Sequence, residues 1–291
     1  MPSYKTHSIH GEVVLPQVDK RIDINPEDMK TFCMGADTLI MTDYKLFDFQ
    51  HCNNIRDYFQ FILRYIKQNK LQDNSEVMAF LYGQLDHFIL DATTHPFIYY
   101  GTKNAHSAYR CDIHGLVEMW IDDLIMKLYN IKKNGYYAKF QIESKELLGL
   151  IDHTYLKIYN RKHESSKYQF GIMFMLAFEE LIRNNRILIA DKLVDFFNVG
   201  DIMYKDHSSR LKPYLNFNHR IWRNPETNER HTESFIDLWD KSMVETIETI
   251  EDVNRYLYDG KPLNNFYIDC DISYNTGLPC SEGQKYTYAR R

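Results

Sequence analysis

The sequence predicts a mainly α-helical protein, on three observations. Apolar residues recur at helical spacing through most of the 291 residues, strand-like alternation is scarce, and helix breakers are few, with 12 Gly and 8 Pro. The chain is also rich in large rings, 22 Tyr and 17 Phe, which suits long helices packed closely on one another. The expected architecture is one all-α domain over residues 1–291, a single multi-helix bundle, with residues 260–291 as an irregular tail packed on it.

Taken in order, Asn53 or Asn54 caps a helix over IRDYFQFILRYIKQNK, whose last Lys and Asn residues suit a helix end. Ser75 caps the next, EVMAFLYGQLDHFILDATT, with Glu76 in its first turn. That helix is expected to break by Thr94, because Pro96 disfavours helical backbone at His95. A third runs from Asp112 to Tyr129. Ser144 opens KELLGLIDHTYLKIYN, and Glu164 to Arg183 reads as a further helix. Thr232 or Ser234 starts the longest, ESFIDLWDKSMVETIETIEDVNRYL, which stops at Asp259-Gly260. Only VVLPQV and NNFYIDCDISYN hint at extended chain, and Lys212 to Thr227 (KPYLNFNHRIWRNPET) reads as a long loop.

Composition excludes several classes. With 44% hydrophobic and 26% charged residues the chain is globular rather than disordered or fibrous. A net charge of -5, from 35 basic and 40 acidic residues, argues against a general electrostatic grip on nucleic acid or anionic membrane. No apolar run reaches the ~18 residues of a membrane span. The opening MPSYKTHSIHGEVVLP lacks a basic segment followed by an apolar one, so no signal peptide is expected. Cys33, Cys52, Cys111, Cys270 and Cys280 show no CxxC spacing and read as reduced thiols, consistent with a cytoplasmic location.

The chemistry lies in the histidines. Of 12, seven fall in the first 114 residues, and several have carboxylates at helical spacing. His87 and Asp91 are one helical turn apart and share a face; His95 follows by the same step, and His114 with Glu118 repeats it on the next helix. One such pair is common by chance, and an imidazole on an apolar face is ordinarily satisfied by a backbone carbonyl. Two pairs plus His95 can instead build a multinuclear metal site with Asp91 as the bridging carboxylate. Imidazole and carboxylate donors with open positions suit catalytic Zn²⁺. Clustered zinc activates a water and neutralises phosphoryl oxygens, the equipment for phosphodiester hydrolysis.

FLYGQLDHFILDATTHPF followed by HGLVEMWID resembles the core of the zinc-dependent phospholipase C family, in a G-x3-H-x3-LD-x3-HP stretch (Gly83, His87, Leu90-Asp91, His95-Pro96) and a later H-x3-E (His114, Glu118). THSIHG is similar to its N-terminal T-H-x3-G, FCMGADTLI to its G-x-D segment, and IWRNPETNERHTESFIDLW and ISYNTGLPC to its C-terminal part. Single-strand nucleases share that fold. The resemblance implies an all-α bundle with a trinuclear-type zinc cluster at one end, holding two or three Zn²⁺. One position takes Asp37, His51, His87 and Asp91; a second takes His95, His114 and Glu118; a third shares Asp91 and uses His7, with the amine of a processed Pro2 as a further donor. Asp37 is the expected catalytic residue, both ligand and water-orienting base.

Other residues keep two readings. His10 is an alternative to His7. Asp86 and His106 lie off the matched positions, at the surface or behind the ligands. Asp122 either orients His114 or is solvated, with solvation preferred. Tyr44, Phe47 and Phe49 are core or line a pocket mouth. His153, His163, His207, His219 and His231 have no partner spacing. The expected activity is a phospholipase C-like phosphodiester hydrolase acting on a phospholipid or small phosphodiester, with no stable nucleic-acid complex. The alternatives are a nuclease or nucleotide phosphodiesterase using the same cluster, and a non-catalytic zinc protein.

Overall fold

A computed structural model describes residues 4–102, 111–131, 141–183 and 215–282. Pro2, His106, His207, the first three residues of the 212–227 segment and the end of the 260–291 tail lie outside the described residues, as does the Cys111 side chain. The elements are α1 (Tyr4–Val14), a 3₁₀ turn (Leu15–Gln17), α2 (Pro26–Phe32), a 3₁₀ turn (Gly35–Leu39), α3 (Tyr44–Gln50), α4 (Ile55–Asn69), α5 (Ser75–Thr102), α6 (Cys111–Leu128), α7 (Lys145–Tyr159) and α8 (Glu164–Arg183). They continue with β1 (Trp222–Arg223), β2 (Arg230–His231), α9 (Phe235–Tyr258), α10 (Phe266–Asp269) and a last 3₁₀ turn (Cys280–Glu282). The fold is mostly helical, as the sequence predicts.

The axis of the structure is α5. It is apolar on nearly every side, the pattern of a helix buried all round rather than lying on a surface. Around it pack α1, α2, α6, α7 and α9. By contrast α4 is amphipathic, burying Ile55, Tyr58, Phe59, Ile62, Leu63 and Ile66 at helical spacing and exposing the polar face. Two apolar clusters flank α5. The larger joins α2, α4, α7 and α8 through residues such as Phe32, Phe59, Phe88 and Tyr168. The smaller joins α1, α6 and α9 through Ile9, Ile121, Phe235 and Trp239. No helix among the described residues is long and apolar enough to cross a membrane.

Several helix ends differ from the sequence reading. Asn54 precedes α4 in the left-handed region, but its side chain caps nothing. The cap comes from far along the chain: Asp271 Oδ1 accepts from Ile55 N at 2.7 Å and Arg56 N at 3.2 Å. At the start of α5 the cap is Asn74 rather than Ser75, its Oδ1 accepting from Val77 N at 3.1 Å. Glu76 turns inward and accepts from Ser144 N at 2.5 Å, tying α5 to α7. For α9 the cap is Ser234, in a capping box with Asp237.

The expected break before Pro96 does not occur. α5 continues to Thr102 with Pro96 inside it. Proline has no N–H for the carbonyl of Ala92, and the backbone at Gly277 lies over that oxygen: a Cβ there would be only 2.5 Å from it. Gly277 has φ +64°, so glycine serves both the turn and the close approach. Tertiary packing has overridden the local preference of an X-Pro pair.

Extended chain lies largely elsewhere than expected. VVLPQV is the end of α1 and a 3₁₀ turn, and of NNFYIDCDISYN the first part becomes the short α10 capped by Asn265, while Ile272 in the second part pairs in an isolated antiparallel bridge with Pro279. The segment read as a loop contributes β1, paired antiparallel with β2 and with the Trp222 ring stacked on His231 at 4.4 Å.

A buried histidine and carboxylate centre

Five elements deliver eight titratable side chains to one region. α5 supplies His87, Asp91 and His95 on successive turns, and α6 supplies His114 and Glu118 one turn apart. The 3₁₀ turn after α2 supplies Asp37, His51 caps the end of α3, and α1 supplies His7. Because α5 stays helical through Pro96, His95 remains stacked under Asp91 instead of swinging to a separate position.

Asp91 is the centre. Its Oδ1 lies 3.2 Å from His7 Nε2 and 3.8 Å from His95 Nε2, while its Oδ2 lies 3.4 Å from His87 Nε2 and 4.0 Å from His51 Nε2. Asp37 Oδ1 sits 3.4 Å from His51 Nε2 and 3.6 Å from His87 Nε2. Glu118 Oε1 is 2.7 Å from His114 Nε2 and 3.8 Å from His95 Nε2. Donor atoms gather into three groups, each able to hold one ion: His7, His87 and Asp91; Asp37, His51 and His87; His95, His114 and Glu118. His87 belongs to two groups, a sharing that the sequence reading gave to Asp91 alone.

The residues fit a metal by the state of their buried atoms. Nε2 of His51, His87 and His95, both ring nitrogens of His7, both oxygens of Asp91 and Oδ1 of Asp37 are buried without a hydrogen-bond partner. Leaving so many polar atoms unsatisfied in one place costs ~1–3 kcal/mol each, which a coordinated cation removes. Three of the rings are held from behind. His51 Nδ1 donates to Phe47 O at 2.7 Å, His87 Nδ1 to Cys33 O at 3.0 Å, and His95 Nδ1 to Tyr274 O at 2.8 Å. That bond fixes the tautomer, so the Nε2 lone pair points into the centre.

Electrostatics agrees. Burial holds His7 down to about 3 and His87 to about 4, and holds His95 well below the ordinary histidine value, so these rings are neutral donors. Burial likewise pushes Asp91 up to about 6. At Asp37 burial opposes ionisation, but the neighbouring His87 and His51 outweigh it and hold the carboxyl below the usual range. His51 is raised, its burial outweighed by Asp37. Neutral imidazoles and carboxylates in partly open groups form a donor set suited to zinc.

The remaining candidates separate. His10 faces away from the centre, with Nδ1 2.7 Å from Asp86 Oδ1 and Nε2 2.9 Å from Ser242 Oγ. Asp86 is fully buried behind the site rather than at the surface. Asp122 is not solvated: it is buried and accepts from Thr6 N at 2.9 Å and Thr6 Oγ1 at 2.5 Å, which ties α6 to α1. Phe47 packs on His51 with ring centroids 4.4 Å apart, while Tyr44 and Phe49 are exposed. His153, His163, His219 and His231 join none of the three groups. Sequence reasoning missed Tyr274, whose carbonyl holds His95 and whose N–H donates to His51 O at 2.9 Å, because backbone partners leave no mark in residue type.

A family model described as zinc dependent phospholipase C matches residues 6–165, a span that contains all eight side chains. Neither curated proteins nor solved structures give a match.

Proposed function

The chain belongs to the zinc-dependent phospholipase C family, a family of hydrolases, and on that premise we propose that it is a zinc-dependent phosphodiester hydrolase of phospholipase C type. Its substrate is a phospholipid or a small phosphodiester. The observation that carries the reading is the convergence of unpartnered, buried histidine nitrogens and carboxylate oxygens around Asp91.

In this reading His7, Asp37, His51, His87, Asp91, His95, His114 and Glu118 hold two or three zinc ions. Bound zinc supplies Lewis acidity toward phosphoryl oxygens and acidifies a water. Asp37, kept ionised at neutral pH, takes the proton of the attacking water at a carboxylate oxygen. The water oxygen forms a bond to phosphorus in line, the P–O bond to the alcohol breaks, and the alkoxide takes from Asp37 the proton it had accepted. His51 and His87 hold Asp37 in place for that transfer from 3.4 and 3.6 Å. Burial of the donors excludes bulk water and strengthens every charge interaction at the phosphoryl group.

The test compares phosphatidylcholine, single-stranded DNA and a cyclic nucleotide as substrates, each with and without a chelator and after zinc is restored. Chelator-sensitive, zinc-restored release of phosphocholine is the expected result. Cleavage of the nucleic acid or nucleotide in its place moves the activity to the nuclease reading. Zinc binding without turnover of any of the three refutes an enzyme of this class.

A further inference from the structure

His7 stands apart from the other buried rings of the centre. Those at His51, His87 and His95 are each oriented by a backbone carbonyl at Nδ1, whereas both nitrogens of His7 are buried with no hydrogen-bond partner. Its ring lies against that of His87, centroids 4.1 Å apart, a contact that fixes separation but not rotation. The aim of Nε2 toward Asp91 therefore depends on the helix that carries it.

That helix is anchored by buried polar side chains as well as by its apolar Tyr4, Ile9 and Val14. Thr6, Ser8 and His10, beside His7 on α1, are all fully buried. Ser8 Oγ donates to Lys30 O at 2.9 Å, which sets α1 against α2. Gly11 allows that approach, since a Cβ there would lie 2.3 Å from Cys33 Sγ. His10 is held at both ends: by Asp86 of α5 at 2.7 Å, immediately before His87, and by Ser242 of α9 at 2.9 Å. The Ser242 hydroxyl is itself fixed, donating to Trp239 O at 2.8 Å, and the Trp239 ring meets His10 edge-on at 4.7 Å. Residues three apart on a helix move as one body, so whatever fixes His10 fixes the height and rotation of His7.

We propose that the buried Asp86–His10–Ser242 chain is a positioning device for His7, which locks α1 to α5 and α9 and sets the affinity of the metal position that His7 shares with Asp91. The chain acts through α1 alone; it touches neither substrate nor metal. A serine, a histidine and an aspartate in this order could be taken for a hydrolytic triad, but all three are fully buried and Ser242 already spends its proton on a carbonyl. The inference rests on the metal-binding reading of the site.

The experiment measures zinc stoichiometry and chelator-competition affinity for the wild-type protein, Ser242→Ala, Ser242→Thr and Asp86→Asn, with circular dichroism as a check on folding. Cobalt-substituted spectra report each position separately. Positions behind the first coordination shell commonly shift metal affinity by ~10- to 100-fold. We expect Ser242→Ala to weaken one ion by about that factor while the others keep wild-type affinity, and Ser242→Thr, which restores the hydroxyl, to recover it. Asp86→Asn should be more severe at the same ion. Folded Ser242→Ala protein with every ion at wild-type affinity overturns the proposal, and so does equal weakening of all ions. If Ser242→Ala does not fold, Ser242→Thr decides: recovery of all ions is expected, and a selective loss that the hydroxyl fails to prevent overturns the role given to it. A wild-type protein that binds no zinc refutes the site reading instead, so the two failures are distinct.

Discussion

Replacing Gly35 with alanine should weaken zinc at two of the three donor groups without unfolding the protein. Gly35 has φ +54°, a region that costs a non-glycine residue ~1–2 kcal/mol. The larger effect is steric. A Cβ at Gly35 would lie 2.2 Å from both Cγ and Cδ2 of His87, where carbon atoms prefer ~3.5–4.0 Å. The turn cannot retreat easily, because Gly35 O accepts from Thr38 Oγ1 at 3.0 Å and Tyr168 Oη at 3.2 Å. His87 must therefore yield by about 1 Å, several times the ~0.2 Å tolerance of a metal–donor distance. His87 serves two of the three donor groups, whereas His95, His114 and Glu118 form the third without it. The expected outcome is at least ~100-fold weaker zinc at the two groups containing His87, with the third retained. Chelator competition combined with elemental analysis reads both quantities, and far-ultraviolet circular dichroism confirms the helices. Wild-type stoichiometry and affinity in folded Gly35→Ala protein would refute the argument that His87 is held in place by the missing Cβ.

Three further outcomes concern stability. Gly277→Ala places a Cβ 2.5 Å from Ala92 O at φ +64° and should lower unfolding free energy by about 1–3 kcal/mol in urea titration; an unchanged midpoint would mean the tail does not press on α5. Asp271→Ala removes the acceptor of Ile55 N and Arg56 N and should cost ~1 kcal/mol in the same titration, and an unchanged midpoint would mean that Asp271 does not cap α4. Asp237 is held below its ordinary 3.8 by hydrogen bonds from Ser234, so it stabilises the fold above the unfolded value and loses that contribution as pH falls through the lower folded value. Asp237→Asn should accordingly narrow the loss of stability between neutral and strongly acid pH, and parallel pH profiles for the two proteins would contradict this assignment.

What the sequence reveals follows from where its periodicity is apolar. The span of α4 is legible because six apolar side chains repeat along one face. α1 is not, because its buried face mixes Thr6, His7, Ser8 and His10 with Tyr4, Ile9 and Val14, and a hydropathy pattern cannot mark so polar a face as interior. The continuity of α5 past Pro96 and the cap supplied by Asp271 both depend on a segment some 180 to 215 residues away, beyond the reach of a local rule. The same division holds at the centre. His87, Asp91 and His95, and His114 with Glu118, announce themselves by helical spacing. His7, Asp37 and His51 sit on three separate elements with no spacing to relate them, and only the family resemblance singled them out.

The stretch from Asp271 to Gly277 gives the protein an order of events. Tyr274 holds His95 and meets His51, Asp271 completes α4, and Gly277 covers the carbonyl left open by Pro96. All eight side chains of the centre have been synthesised once Glu118 is made, but this brace follows more than 150 residues later. At ~5–20 residues per second, translation leaves an interval of roughly eight to thirty seconds in which the histidines exist without the backbone that aims His95 and bonds to the backbone of His51. A nascent chain therefore carries the donors, and only a finished one carries their arrangement.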